Sequence, residues 1–427
     1  VNLKSKNIFY WTLFDFANTS YSIVVVTLIY AVYFKNVVAE GNSIGDFYWS
    51  LGISISMIIT AILSPILGAI ADYSAGNKRF LLFFTLLSII ATANLFFVKS
   101  GDVLLGLTLF VIANIGFESG LVFYDSFLPE ITEPKNFGRV SGYGFAMGYL
   151  GSLIILAIAF PFIQRNMIVE TFPISALFFL VFALPLFIFI KDSRKSVKID
   201  KSFIKIGFER ISNTIDNLSQ YKNLSLFLLS FFFYIEGVNT VIFFAGNYAS
   251  TTLHFSQIDL IIFFIIVQTT AILGSILFGI IADSYGQKKA IILSLSIWLG
   301  IILFAYITSD VNSDFVIYFS KLLGISASEF LKSSFYVVGL AAGSVLGATQ
   351  STSRSLMSNL TPIDKKTEFF GFFSFFGKSS AIFGPLVFGL VSYLSGSQRI
   401  ALSSLAIFFV VGLSILTFVK EPKTDSE

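Results

Sequence analysis

The chain contains no cysteine and a single histidine, His254, among its 427 residues. The missing cysteines remove disulfides, thiolate nucleophiles, iron–sulfur clusters and thiolate zinc sites together. One histidine leaves no pair for a metal centre or a catalytic dyad, and His254, in a loop between two apolar runs, is given no role. Charge is scarce too: Asp, Glu, Lys and Arg make up 12% of the chain, about half the roughly 25% of a soluble domain. No phosphate-binding glycine loop, nucleophile elbow or metal-ligand spacing occurs in the sequence. No enzyme activity, cofactor or bound metal is therefore expected.

What is present in excess is apolar: 55% hydrophobic residues, with 52 Phe and 17 Tyr, and a mean hydropathy of +0.84. Such a chain is not disordered. Its apolar runs lie at roughly 8–34, 47–70, 80–98, 103–128, 141–163 and 172–190, then 224–249, 258–282, 290–308, 335–359, 369–394 and 400–419. Each is long enough to cross a hydrocarbon core of about 30 Å as a helix. The first run carries Asp15 and Asn18 and is expected to be a span, not a cleaved leader. The expected fold is an all-α integral membrane protein with twelve transmembrane helices. They form two six-helix bundles, residues 1–190 and 223–427, joined by a linker at 191–222.

Of the 28 basic residues, twenty fall in segments on the side of the termini, six on the other side, and Arg354 and Lys378 inside spans. The positive-inside rule then puts both termini in the cytoplasm, and it accounts for the net charge of +3 without nucleic acid as a partner. In the linker, Ile204, Phe208, Ile211, Ile215 and Leu218 recur at helical spacing beside Lys201, Lys205 and Arg210. That pattern predicts an interfacial amphipathic helix, a connector first and a regulatory element as the alternative. The stretch 315–331, with Phe315, Tyr318, Phe319 and Leu322, is too short to span and reads as an outer surface helix.

The two sets of spans repeat. Asp15-Phe-Ala-Asn18-Thr19 answers Glu236-Gly-Val-Asn239-Thr240, and Gly68-Ala-Ile-Ala-Asp72 answers Gly279-Ile-Ile-Ala-Asp283. Gly138, Gly144 and Gly151 match Gly371, Gly377 and Gly384 at a constant offset of 233. Parallel six-helix repeats about the membrane normal place a solute site at mid-depth between the halves. Glycines at every fourth position (Gly339, Gly343 and Gly347; Gly138 and Gly142; Gly144 and Gly148) let helices approach closely. The loop Gly68-x-x-x-Asp72-x-x-x-Gly76-x-Lys78-Arg79 and its partner Gly279-x-x-x-Asp283-x-x-Gly286-x-Lys288-Lys289 resemble the cytoplasmic loop motif of the major facilitator superfamily. Asp72, Lys78, Arg79, Asp283 and Lys288 are the expected cytoplasmic gate, each Asp capping a neighbouring helix N-terminus.

Six ionisable residues sit well inside spans: Asp15, Glu118, Asp125, Glu236, Arg354 and Lys378. Each costs a few kcal/mol or more there and is a functional candidate. Asp15 and Asn18 share a helix face, as do Glu118 and Asp125, Glu236 and Asn239, and Gln350 and Arg354. Asp125 and Arg354 occupy similar places in their repeats and could form a salt bridge across the pseudo-two-fold axis; that the buried charges pair internally and only hold the bundle together is the competing reading. Four acids against two bases leave a surplus to be met by protons, cations or substrate.

At these residues the chain also resembles the vacuole effluxer-like, autophagy-related transporters, which have bacterial relatives. The resemblance rests on Trp11-x-x-Phe14-Asp15-Phe16-Ala17-Asn18-x-x-Tyr21 and Phe123-Tyr124-Asp125-Ser126-Phe127-Leu128-Pro129. It continues in Gln350-x-x-Ser353-Arg354-Ser355, Phe369-Phe370-Gly371, Gly377-Lys378 and Gly384-Pro385. It implies a secondary transporter that exports amino acids, here across a bacterial or archaeal plasma membrane, and a monomer is expected. Asp15 and Glu236 are the expected proton or ammonium sites, Arg354 and Lys378 the anion sites, and Asn18, Asn239 and Gln350 the orienting groups. The alternatives are an exporter of drugs or amphiphiles, which the 17% aromatic content favours, and a membrane sensor or scaffold that binds without transporting.

Overall fold

The computed structural model describes residues 3–42, 44–74, 76–191, 203–216, 218–380 and 383–422. In hydrocarbon every backbone polar group has to be satisfied within its own segment, which leaves helices as the solution for apolar runs of this length. Among the described residues, twelve helices are long and apolar enough to cross a membrane. The first six are Ser5–Val38, Ile44–Ser74, Asn77–Phe97, Val103–Ile131, Pro134–Gln164 and Thr171–Phe189. The second six are Ser219–Ser250, Ile258–Tyr285, Gln287–Thr308, Ala327–Leu360, Ile363–Ser395 and Gln398–Thr417. With an even number of crossings, the two ends of the described chain lie on one face, called here the terminal face.

Most spans run further than their apolar runs. The first continues to Val38 through two widened π-helical turns, Ser22–Thr27 and Phe34–Val38. The stretch read as one surface helix at 315–331 is divided. A short helix, Asp314–Leu323, ends on Gly324 in the left-handed region (φ 69°). The tenth span then starts at Ala327, because Ser326 and Glu329 form a capping box. Ser-x-x-Glu was the legible signal for that boundary.

Buried apolar side chains form two large clusters, one from Trp11 to Ile190 and one from Leu224 to Val419 that Val122 of the fourth span also joins, beside a small one of Phe278, Ala282, Ala290 and Ala348. Between the two large clusters, the second span packs on the eleventh and the fifth on the eighth and tenth. Both main crossings depend on glycine. A Cβ on Gly138 would lie 2.5 Å from the Gly279 carbonyl oxygen, and one on Gly68 would strike the backbone of Thr367.

These contacts correct the repeat register. The Gly138 amide donates to Asp283 Oδ1 (2.7 Å) and the Thr367 amide to Asp72 Oδ1 (3.1 Å), so the counterpart of Gly138 is Thr367, not Gly371. Gly371 instead meets Ser64, as Gly142 meets Ser275. Further along, Gly151 meets Thr19 while Gly384 meets Thr240, so the offset of 233 holds there. The difference of four residues is about one helical turn, and the eleventh span gains it between Gly371 and Gly384.

At the terminal face each motif aspartate caps a helix of the opposite half. Asp283 accepts from the Gly138 and Arg139 amides and from Arg139 Nε (2.9 Å). Asp72 accepts from the Thr367 and Glu368 amides, the latter at 2.7 Å. A carboxylate on free N–H groups at a helix start is favoured by hydrogen bonding and by the helix dipole. Lys78 and Lys288 do different work from that expected. Lys78 Nζ donates to the Ile190 carbonyl, and Lys288 Nζ to those of Thr417 and Val419 (2.7 Å each). Each therefore ties down the end of the last span in its own half, and Arg79 is exposed.

The linker helix, Phe203–Asp216, packs along the second span, with Gly207 against Ile66 and Ile70. Arg210 Nε reaches the fully buried Glu368 at 3.3 Å, and Thr214 bonds the same carboxylate. Lys201 and the side chains of Ile204, Lys205, Phe208, Ile215 and Leu218 lie outside the described residues.

Replacing Asp283 by Ala leaves two amides and Arg139 without their acceptor, at a cost to this contact of about 1–3 kcal/mol. The chain has no cysteine, so spin labels can be placed cleanly at Lys135 and Lys289, exposed residues of the two halves. In Asp283→Ala the label distances are expected to gain a longer component. An unchanged distribution would show that this cap does not hold the halves together.

Candidate functional site

Arg354, 2% exposed, comes from the tenth span within two turns of Leu360 and enters the first half. Its Nη1 donates to Asp125 Oδ1 (3.0 Å) and Asp15 Oδ2 (3.2 Å). Its Nη2 donates to Asp15 Oδ2 (3.2 Å) and the Ser141 carbonyl (2.9 Å), and Nε to Ser141 Oγ (2.9 Å). A guanidinium has five N–H donors, and these five bonds use them all. The group also lies over the rings of Phe145 (4.2 Å to the centroid) and Trp11 (4.6 Å). Charge pairing, hydrogen bonds and ring contact together offset a desolvation cost that pairing alone often does not. Gly144 makes room for the pair: a Cβ there would come within 2.6 Å of Arg354 Nη2.

A further ion pair between the halves joins Lys378 of the eleventh span to Glu118 of the fourth. Both residues lie near the middle of their spans. Glu118 and Asp125 are two turns apart on one helix face, roughly 10 Å along the axis, so the two pairs occupy different depths. The Lys378 side chain is 22% exposed where that of Arg354 is 2%. Beside Glu118, Asn114 on the same face links Tyr21, whose hydroxyl donates to Asn114 Oδ1 (3.3 Å), and Ser56, which accepts from Asn114 Nδ2 (2.8 Å).

Glu236 is fully buried. It accepts from the Gly384 amide and the Thr240 hydroxyl (3.4 Å) of its own half and has no basic partner among the described residues. Asn18 is 3% exposed, and its Nδ2 has no hydrogen-bond partner among the described residues. Gln350 accepts from Tyr149 across the halves (2.6 Å), and Asn239 is half-buried. Among the described residues, hydrogen bonds between the halves run from about mid-depth, at Gln268–Ser152 (3.0 Å), to the terminal face. The terminal side is thus the closed one.

Nothing in the residue pattern singled out Ser141, Phe145, Arg139 or Glu368, because neutral or loop residues acquire a role only from the opposite half. Trp11 and Tyr124 did stand out, as motif residues. They stack at 4.7 Å and exchange two hydrogen bonds of 3.1 Å, fixing the first span against the fourth beneath Arg354. A cavity of about 670 Å³ opens on the opposite face, lined by His254, Asp310, Gln398 and Arg399 among others, and includes none of the buried charges.

The chain matches the family model described as vacuole effluxer Atg22 like over residues 47–427. It is 33% identical to an uncharacterized MFS-type transporter, YxiO, of Bacillus subtilis, over 97% of this chain and 95% of that protein. It is 23% identical to autophagy-related protein 22 of Kluyveromyces lactis, over 85% of this chain and 77% of that protein. Its fold is similar to that of the major facilitator superfamily proton:xylose symporter XylE, with a TM-score of 0.73 and 14% identity over 98% of this chain and 96% of that one. Family and fold are those of transporters, not enzymes. With its match running through all but the first span and its twelve spans folded as in the major facilitator superfamily, the chain belongs to the vacuole effluxer Atg22-like family.

Proposed function

We propose that the protein exports amino acids or similar small zwitterions across the plasma membrane by proton-linked alternating access, with the terminal face cytoplasmic. The observation that carries this reading is how the buried charges divide. Arg354 holds Asp15 and Asp125, Lys378 holds Glu118, and Glu236 is left, among the described residues, with neutral donors only. Opening the terminal face would separate both bases from their acids, since each pair has one member in each half. That couples the conformational change to whatever neutralises or replaces those charges. Glu236 is the residue assigned to the proton, because no base among the described residues competes for its carboxylate.

Export is supported by the effluxer description of the family, and the plasma membrane by the bacterial relative. The cytoplasmic orientation is supported by twenty of 28 basic residues on that side. An uncharged amphiphile is the weaker candidate for cargo, because it would enter a site lined by ion pairs without replacing either charge.

Proteoliposomes holding the purified protein, supplied with a radiolabelled amino-acid panel and an imposed pH gradient, test the reading. Gradient-driven flux of an amino-acid class is expected, and Glu236→Gln should reduce it to the no-gradient level while sparing exchange. Gradient dependence that survives in Glu236→Gln would remove this residue as the proton carrier. Arg354→Gln should destabilise the closed state by about 3–5 kcal/mol, because it strands two buried carboxylates. Adding Asp15→Asn and Asp125→Asn should restore most of that loss in a thermal melt. Equal melting of the parent and Arg354→Gln would show that the cluster contributes nothing to closure.

A further inference from the structure

Resting on the amino-acid reading, we infer that Glu118 and Lys378 recognise the cargo. The pair opens to take the ammonium and carboxylate of one zwitterion in place of its own contact, while Arg354 is a latch that does not touch cargo.

Arg354 has nothing left to offer. Its five donors are taken by Asp15, Asp125 and Ser141, and it is buried. Binding a cargo carboxylate there would first require dismantling the contact that closes the terminal side. Lys378 differs on each count. An ammonium has three donors, Glu118 is its one ionic partner among the described residues, and it is the more exposed of the two bases. It lies near mid-span, on the opposite-face side of the Arg354 cluster, so a solute reaching it from that face need not break this cluster first.

The pair is also asymmetric in a way the repeat explains. Lys378 lies in the part of the eleventh span, between Gly371 and Gly384, that carries the extra turn. At offsets of 229 and 233 the fifth span holds Tyr149 and Phe145, so that half has no equivalent cation. One half supplies an acid and the other a base, which matches a molecule carrying one charge of each sign. The wall around Glu118 is polar, through Asn114, Tyr21 and Ser56. Asn18, one turn from Tyr21 on the first span, keeps a buried amide donor without a partner among the described residues. An unmet buried donor is costly, and a carboxylate or carbonyl of the cargo would satisfy it.

The physical consequence is a rule of selection. Separating a buried ion pair strands two charges. A zwitterion compensates both, whereas a solute with one charge compensates one and leaves the other exposed to the low dielectric. Both charges are therefore needed in the same molecule.

The test is counterflow of labelled leucine in proteoliposomes, with competition by leucine, leucinamide (no carboxylate) and 4-methylpentanoate (no ammonium). In the parent, both analogues should compete at least about tenfold more weakly than leucine. Lys378→Gln should erase the discrimination against leucinamide only, and Glu118→Gln that against 4-methylpentanoate only. If a single variant does not fold, Glu118→Gln/Lys378→Gln, which strands no charge, should lose both discriminations together. Parent-like discrimination in the variants that still carry leucine overturns the assignment of this pair. A parent that carries none of an amino-acid panel fails the amino-acid reading itself, and this inference with it.

Discussion

A charge inside hydrocarbon must find an opposite charge or a set of donors, and in this chain most of the buried charges find theirs in the other half. Arg354 reaches Asp15 and Asp125, Lys378 reaches Glu118, and the motif aspartates Asp72 and Asp283 reach the first amides of opposing helices. The closed side is therefore held by interactions that are strong only while the halves touch. Separated, each group would need water, a proton or a ligand, so the same cost that closes the molecule also specifies what can open it.

Close approach is the second requirement, and glycine meets it. The helices at Gly68, Gly138 and Gly142 run with backbone nearly against backbone, and Gly144 leaves space for a carboxylate and a guanidinium at once. Larger residues there would hold the halves too far apart for hydrogen bonds near 3 Å. The linker helix adds a brace at the same place, since Arg210 and Thr214 bind the carboxylate of Glu368, whose amide is held by Asp72.

The repeat is close to symmetric where it builds the scaffold and unequal where the buried charges lie. Asp15 and Glu236 occupy matching places in the first and seventh spans, yet one meets an arginine and the other a backbone amide. The extra turn in the eleventh span brings Lys378 with no partner in the fifth. On the proposed reading that inequality assigns latch, cargo site and proton site to three different carboxylate environments built on one repeated plan.

Much of this was legible beforehand. Apolar runs of membrane length fixed the twelve spans, because a backbone in lipid has only the helix available. Polar residues at helical spacing marked the faces of the first, fourth, seventh and tenth spans, and the duplicated Gly–Asp motif marked the terminal face. The boundary at Ser326 was written in a capping box. What could not be read was the partner of each group. The repeat offered Asp125 with Arg354 as one candidate pair, but Asp15 joining them, Lys378 meeting Glu118, and Lys78 and Lys288 serving their own halves depend on how helices cross. A helix pattern gives the face on which a side chain stands; which helix lies opposite, and at what depth, is set by packing between segments far apart in the chain. The one-turn slip between Gly371 and Gly384 preserves that face nearly unchanged, and it takes the contacts of Thr367, Gly371 and Gly384 with the other spans to reveal it.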